Sequence, residues 1–198
     1  MPEQSQNAAN PAGKLGPGRL VLVVGPSGAG KDTLLDGLRT RLSECEHVYF
    51  ARRMITRAAN AATENHGTLS EAEYDRLSGD GNIALCWRAH GLGYVLPAEC
   101  DTKIRNGYTV IANGSRRALP KAFEKYLNPK VILITAPIPV LAARLAQRGR
   151  ETRTEIEARL SQASLELEGI PGLIRIENTG TVDQGVNAIL QALGYANG

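Results

Sequence analysis

The sequence is poor in cysteine and in aromatic residues, and both shortages narrow its possible functions. The three cysteines, Cys45, Cys86 and Cys100, are widely spaced, so they form neither a disulfide framework nor a zinc-binding pattern. A reducing, cytoplasmic location is the plain expectation. Aromatic residues make up only 5% of the chain, which leaves little material for the base-stacking surfaces that bind single-stranded nucleic acid.

Long apolar runs and a strong net charge are also missing. No stretch approaches the roughly 20 apolar residues of a membrane-spanning helix, so no membrane association is expected. The formal net charge of +3 is too small to indicate a nucleic-acid partner by itself. A cationic pocket for a small phosphorylated ligand fits this charge better.

The length of 198 residues suits one domain with a sizeable core. Residues 1–18 are rich in Pro, Gly, Asn, Gln and Ala and lack the apolar segment of a signal peptide. We therefore predict a disordered tail over residues 1–18 and a single domain over residues 19–198. The sequence leaves open whether the protein is a monomer or a homodimer.

The most informative stretch lies between the apolar residues 20–24 and a leucine-rich helical segment. Its strand, glycine-rich turn and helix follow in the order of a P-loop, in which backbone N–H groups and a helix N-terminus bind phosphate. Lys31 is expected between the β- and γ-phosphates of a bound nucleotide. The predicted ATP-binding residues here are Gly25, Pro26, Ser27, Gly28, Ala29, Gly30, Lys31, Asp32 and Thr33.

The residue after this lysine departs from the usual P-loop, which has Ser or Thr there to hold Mg²⁺. This chain has Asp32, followed by Thr33. Two interpretations stay open: Asp32 reaches the metal through a water molecule, or it only caps the following helix while Thr33 supplies the hydroxyl. Both residues are therefore candidate Mg²⁺ ligands.

Segments rich in Val and Ile alternate with helical patterns after residue 19. Because these segments lack polar alternation, they indicate strands buried on both faces of a parallel sheet. The predicted strands are 20–24, 47–51, 83–87, 109–112, 131–135 and 173–177. Helices are predicted after the P-loop, from Ser70, over 139–147, from Thr154 and from Thr181. The fold class is thus an α/β, doubly wound P-loop fold. Residues 52–97 interrupt the alternation of strands and helices and are predicted to form a small cap.

With these features the chain resembles the guanylate kinase group of nucleoside monophosphate kinases over residues 19–193. Besides the P-loop, Ile55-Thr56-Arg57 stands where that group has Thr-Thr-Arg, and an arginine-rich segment matches its mobile lid. The resemblance implies a cap over the acceptor substrate, a lid over about 144–159, and Asn178 near the adenine. The catalytic residues that it implies are Lys31, Arg144, Arg148 and Arg159.

The chain departs from guanylate kinases at the residues that recognise the guanine base. Residues 84–94 contain no acid where that group has a guanine-binding glutamate, and the strand after residue 109 ends in Asn113-Gly114-Ser115-Arg116 instead of an Asp motif. A site that selects guanine needs such acceptors. The chain instead offers cationic and amide side chains, which are the predicted substrate-binding residues: Arg52, Arg57, Asn65, His66, Asn113, Ser115 and Arg116. On residue type alone, Arg52 and its neighbour Arg53 also suit solvated positions at a strand end.

This combination resembles the ribose 1,5-bisphosphate phosphokinases of phosphonate breakdown. The resemblance implies an enzyme that uses ATP and Mg²⁺ to phosphorylate ribose 1,5-bisphosphate, a small phosphorylated sugar, giving 5-phospho-α-D-ribose 1-diphosphate (PRPP). The acceptor oxygen belongs to a phosphate and is already anionic, so no general base is required. Two alternatives remain: a nucleoside monophosphate kinase with altered base choice, and a non-catalytic guanylate-kinase-like module that binds protein.

The lid arginines give a first test. Replacing Arg148 by alanine is expected to lower kcat by about 10³- to 10⁵-fold if this residue acts as an arginine finger does, as measured by steady-state kinetics. The control is Arg150→Ala, because Arg150 beside Glu151 suits a surface ion pair. Equal kinetics for the two variants would contradict the assignment.

Overall fold

The computed structural model describes residues 13–57, 66–146 and 170–195. A 3-10 turn, Arg116–Ala118, precedes the fourth helix. In chain order the elements are β1 (Arg19–Val24), α1 (Lys31–Arg41), β2 (Val48–Phe50), β3 (Met54–Ile55), β4 (Gly67–Thr68), α2 (Glu71–Asp80), β5 (Ile83–Ala89), β6 (Leu92–Pro97), α3 (Glu99–Arg105), β7 (Thr109–Asn113), α4 (Leu119–Lys125), β8 (Lys130–Thr135), α5 (Ile138–Ala146), β9 (Leu173–Glu177) and α6 (Val182–Leu193). Within the described ranges, no helix is both long and apolar enough to cross a lipid bilayer.

The centre of the fold is a five-stranded sheet in the order β2-β7-β1-β8-β9. Every neighbouring pair is parallel. On β1, Leu22 lies opposite Ala112 of β7 on one side and Val131 of β8 on the other. The predicted α/β fold with a parallel sheet is confirmed, and five of the predicted strands belong to this sheet.

Apolar side chains cover both faces of the central sheet. One face packs against α1, α5 and α6, where Leu38 and Ile189 are fully buried. The opposite face packs against α3, α4 and β5. The predicted capping box of the last helix is present, with the Thr181 hydroxyl accepting a hydrogen bond from the Gln184 N–H. The two apolar layers explain why the strands show no polar alternation.

The predicted strand at 83–87 is present, but the prediction that it belongs to the parallel sheet is wrong. It extends over Ile83–Ala89 and pairs antiparallel with β6 in a second, four-stranded sheet of order β4-β3-β6-β5. The cause is a two-residue turn in which His90 has φ 52° and Gly91 has φ 73°. Two positive φ values in a two-residue turn match the twist of a hairpin, so β6 folds back antiparallel to β5.

The second sheet has its own small core under α2. Leu69, Tyr74, Ile83 and Val95 are buried there, and α2 begins at the predicted capping box, with Ser70 and Glu73 bonded reciprocally. Trp87 is buried and stacks on Tyr94 with ring centroids 5.4 Å apart, as expected for a core residue. Residues 52–57 and 66–97 thus carry a small unit beside the central sheet.

The predicted tail is too long at its C-terminal end. The Leu15 N–H donates to the Lys125 carbonyl at 2.9 Å, and the Leu15 carbonyl accepts from the Leu127 N–H at 2.8 Å. Residues 13–18 therefore lie against the domain through isolated backbone pairing, which leaves no periodic pattern in the sequence. Residues 1–12 and the helix predicted from Thr154 lie outside the described residues.

A polar cluster at α3 and the end of α4 joins these helices to the second sheet. The Tyr126 hydroxyl donates to Asp101 Oδ1 at 2.6 Å, and Lys125 Nζ lies 2.8 Å from Asp101 Oδ2. Lys125 also donates to the carbonyls of Ile83 and Ala84 on β5. Burial, together with the Asp101 carboxylate, raises the pKa of Tyr126, so this hydroxyl keeps its proton and its hydrogen bond.

Removing the Tyr126 hydroxyl is expected to destabilise the fold. Tyr126→Phe takes a donor from a buried carboxylate, which costs about 1–3 kcal/mol of unfolding free energy. For a domain of this size each kcal/mol corresponds to roughly 2–4 °C in Tm. Denaturant titration and thermal melting measure both quantities. The control is Tyr195→Phe on the other face of the sheet, and equal losses in the two variants would argue against the cluster.

Candidate active site

The candidate site lies where the carboxyl ends of the parallel strands meet. The P-loop follows β1, Asn113 ends β7 and Asn178 follows β9. All strands of this sheet run in one direction, so these segments share one edge. In open α/β sheets this edge is the usual position of ligand sites.

Three glycines give the P-loop its shape. Gly25, Gly28 and Gly30 have φ of 147°, 83° and 87°, values that side chains disfavour. The approach of the neighbouring strand is also close, since a Cβ on Gly25 would lie 2.0 Å from the Ile134 carbonyl oxygen. Lys31 Nζ donates to the carbonyls of Gly25 and Pro26 at 2.8 and 3.0 Å, so its ammonium group lies over the loop.

Two side chains from distant segments hold this loop from outside. Asn178 Nδ2 donates to the Ala29 carbonyl at 2.8 Å. Arg144 Nη2 donates to the Asn178 carbonyl at 3.1 Å, and its Nη1 lies 3.4 Å from the Gly28 carbonyl. Arg144 is thus half-buried against the loop backbone. Its contact with a transferred phosphoryl group stays a prediction.

The structure contradicts the helix-cap interpretation of Asp32, and the contact of Asp32 with a metal stays a prediction. The N-cap of α1 is Gly30, which makes no side-chain cap, and Asp32 lies exposed in the first turn of the helix. Its Oδ1 accepts a hydrogen bond at 2.5 Å from Nδ2 of Asn113, at the end of β7. Asp32 therefore spans from the P-loop helix to the neighbouring strand end, and Thr33 is exposed beside it.

A cleft opens beside this pair, between α1, the ends of β2 and β7, and His66. It carries charges of both signs: Arg39 and Arg53 as cations, Asp32 and Asp36 as carboxylates. Arg39 Nη1 lies 2.6 Å from Asp36 Oδ1. The lining residues are Asp32, Leu35, Asp36, Arg39, Phe50, Ala51, Arg53, His66, Ile111 and Asn113.

Two predicted substrate-binding residues, His66 and Asn113, line this cleft. Arg52 is exposed and donates to the His66 carbonyl at 3.3 Å. The Ser115 hydroxyl accepts from the Arg117 N–H at the start of the 3-10 turn. Arg57 and Arg116 are half-buried outside the cleft lining, and their substrate contacts stay predictions. Three further predicted residues lie outside the described part of the chain: Asn65, Arg148 and Arg159.

Arg39 lines the cleft but is not among the substrate-binding residues that the sequence predicts. Asp36 and Arg39 follow Asp32 at offsets of four and seven residues, which places the three side chains on one face of α1. Since α1 follows the P-loop directly, that face borders the phosphate site. Arg53, which suited a solvated position in the sequence, is half-buried and its guanidinium lies 5.7 Å from the centre of the Tyr94 ring.

The donor set fits a nucleotide with its magnesium. Glycine N–H groups and Lys31 suit phosphate oxygens. Asp32 and Thr33 offer a carboxylate and a hydroxyl beside them, and Mg²⁺ in kinases is held by one or two such oxygens together with substrate phosphates. Among the described residues no three His, Cys, Asp or Glu side chains form a metal cluster.

Gly30 offers a test of the loop geometry. An alanine Cβ at this position would lie 2.5 Å from Asn178 Nδ2 at a φ of 87°, so Gly30→Ala must displace Asn178 and strain the turn by about 1–3 kcal/mol. We expect roughly 10- to 100-fold weaker ATP binding, measured by calorimetric titration. The control is Gly79→Ala, where a Cβ meets open space. Unchanged affinity in Gly30→Ala would contradict this account.

Sequence comparison finds close relatives over most of the chain. The chain is 46% identical over 176 residues to ribose 1,5-bisphosphate phosphokinase PhnN of Brucella melitensis, covering 89% of this chain and 92% of that protein. It is 42% identical to the protein of the same name from Agrobacterium fabrum, covering 90% and 98%. The corresponding protein of Rhodopseudomonas palustris is 49% identical over 149 residues, covering 75% and 76%. No protein-family model matches the chain.

Comparison of structures supports the fold. A guanylate kinase from Anaplasma phagocytophilum matches with a TM-score of 0.63 at 20% identity, covering 91% of this chain and 87% of that one. A gluconokinase from Sinorhizobium meliloti matches with a TM-score of 0.52 at 15% identity, covering 91% and 94%. At these identities the likeness concerns the P-loop kinase fold alone. With relatives above 40% identity over most of both chains, the chain belongs to the ribose 1,5-bisphosphate phosphokinase (PhnN) family.

Proposed function

We propose that this kinase transfers the γ-phosphoryl group of ATP to ribose 1,5-bisphosphate, giving PRPP and ADP. One observation carries the proposal: the cleft beside the P-loop is lined by two arginines, Arg39 and Arg53, which suit the phosphate of a small acceptor. The names of the relatives support the same substrate.

In the reaction, an oxygen of the sugar's 1-phosphate forms a new bond to the γ-phosphorus, and the bond from that phosphorus to the β–γ bridging oxygen breaks. The electron pair of this bond stays on ADP. Lys31 exchanges its contacts with the Gly25 and Pro26 carbonyls for phosphate oxygens and stabilises the charge that develops. Asp32 and Thr33 would hold Mg²⁺, which would supply further positive charge to the phosphates of the bound nucleotide.

The second phosphate of the sugar requires its own cations. We assign this role to Arg39 and Arg53 at the cleft, with Arg57 and either Arg52 or Arg116 as the further candidates from the sequence. Arg144, Arg148 and Arg159 act on the transferred group. Two anions that repel each other in water are thereby held together, which is the main task of catalysis between two phosphates.

The nucleoside monophosphate kinase alternative has less support. The hairpin of β5 and β6 carries no acidic residue between positions 84 and 94, and its Trp87 and Tyr94 stack on each other. The non-catalytic module alternative requires no working P-loop, yet this chain has Lys31 and the positive-φ glycines of the loop. The proposal also includes a cytoplasmic enzyme of phosphonate breakdown, without nucleic-acid or membrane partners, as a monomer or homodimer.

An acceptor assay tests the proposal. With ATP and Mg²⁺, we expect turnover of ribose 1,5-bisphosphate and little turnover of GMP or AMP, with PRPP identified by a coupled phosphoribosyltransferase. Lys31→Ala should lower kcat by about 10²- to 10³-fold. The matched control is Lys121→Ala, an exposed lysine on α4. Efficient turnover of GMP or AMP alone would establish the first alternative, and indifference to Lys31→Ala the second.

A further inference from the structure

Asn113 lines the cleft and carries a buried acceptor atom. It ends β7 opposite Val23 of β1, and only 9% of the residue is exposed. Its Oδ1 accepts no hydrogen bond from any residue in the described ranges. A buried acceptor without a donor costs about 1–3 kcal/mol, so a ligand that donates a hydrogen bond here gains that amount relative to one that does not.

Asp32 fixes which end of the amide faces the ligand. The two ends of an asparagine amide have nearly the same shape, and they differ in that nitrogen donates and oxygen accepts. The Asp32 carboxylate accepts from Nδ2, and a carboxylate oxygen does not donate. The amide oxygen is therefore the end of Asn113 that has no donor among the described residues.

Because the Asn113 amide oxygen only accepts hydrogen bonds, it can pair only with a ligand group that donates one. Phosphate oxygens are acceptors themselves, so they are disfavoured beside Asn113 Oδ1 and favoured beside Arg39 and Arg53, which line the same cleft. Apart from the phosphates, a ribose bisphosphate has a ring oxygen, which only accepts, and ring hydroxyls, which can donate. The cleft therefore has separate places for the phosphate and for the sugar ring.

We propose that Asn113 Oδ1 accepts a hydrogen bond from a ring hydroxyl of the sugar substrate and that Asp32 is the positioning residue that orients this amide. The inference rests on the proposed function, and it makes Asn113 a specificity-determining residue. A sugar without the hydroxyl leaves the buried acceptor unmatched, which is the arrangement by which polar sites reject analogues that lack a group.

The first experiment uses the wild-type enzyme with ATP and three acceptors: ribose 1,5-bisphosphate and its 2-deoxy and 3-deoxy analogues. We expect kcat/KM to fall by roughly 10- to 100-fold for at least one analogue. Turnover of both analogues within about threefold of the ribose compound would overturn the inference and leave the kinase activity standing. Absence of turnover with all three acceptors would overturn the proposed function as well.

The second experiment tests whether the Asn113 amide causes the preference for ribose 1,5-bisphosphate over the deoxy analogue. In Asn113→Leu, which keeps the size and removes the hydrogen bond, the ratio of kcat/KM between the ribose compound and the discriminated analogue should fall towards one. Asp32→Asn should reduce the same ratio, because the amide is no longer held in one orientation. The control, Asn82→Leu, replaces an exposed asparagine and should keep the wild-type ratio.

A purely structural role would lower kcat/KM for all acceptors equally and leave the ratio unchanged, which would overturn the inference. Thermal melting of each variant shows whether it is folded. The comparison of acceptors on the wild-type enzyme stands without any variant.

Discussion

The parallel pairing of β1 with β7 on one side and β8 on the other is the constraint on which the site depends. Because these strands run in one direction, the P-loop after β1 and Asn113 at the end of β7 lie at one edge of the sheet. The close contact between Gly25 and the Ile134 carbonyl extends the same constraint to β8. The loop is thus held by the sheet before any ligand arrives, which lowers the cost of ordering it on binding.

Charge is divided across this edge in a way that suits two phosphorylated substrates. The P-loop side carries Lys31 and the backbone N–H groups, and the cleft side carries Arg39 and Arg53. The pair of Asp32 and Asn113 adds acceptors to this region, as does Asp36 beside Arg39. A site built only of cations would bind any polyanion, whereas these acceptors add a requirement for hydroxyl groups.

Local motifs were predictable, and contacts between distant segments were not. The P-loop, the capping boxes at Ser70 and Thr181 and the strands of the central sheet each leave a signal within about ten residues of sequence. The hydrogen bond from Asn113 to Asp32 joins positions 81 residues apart, and no pattern in either segment indicates it. The hairpin at His90-Gly91 did leave a local signal, which was obscured because β5 is as apolar as a strand of a parallel sheet.

The anchoring of β5 by Lys125 has a consequence for motion. Lys125 ties the Ile83 and Ala84 carbonyls to Asp101, and β5 is one edge of the second sheet, while β4 next to His66 is the other. A rotation of the second sheet about its fastened edge would therefore displace the edge nearest the cleft most. A small rotation of this unit would change the width of the cleft while the hydrophobic layers around β1 keep their packing.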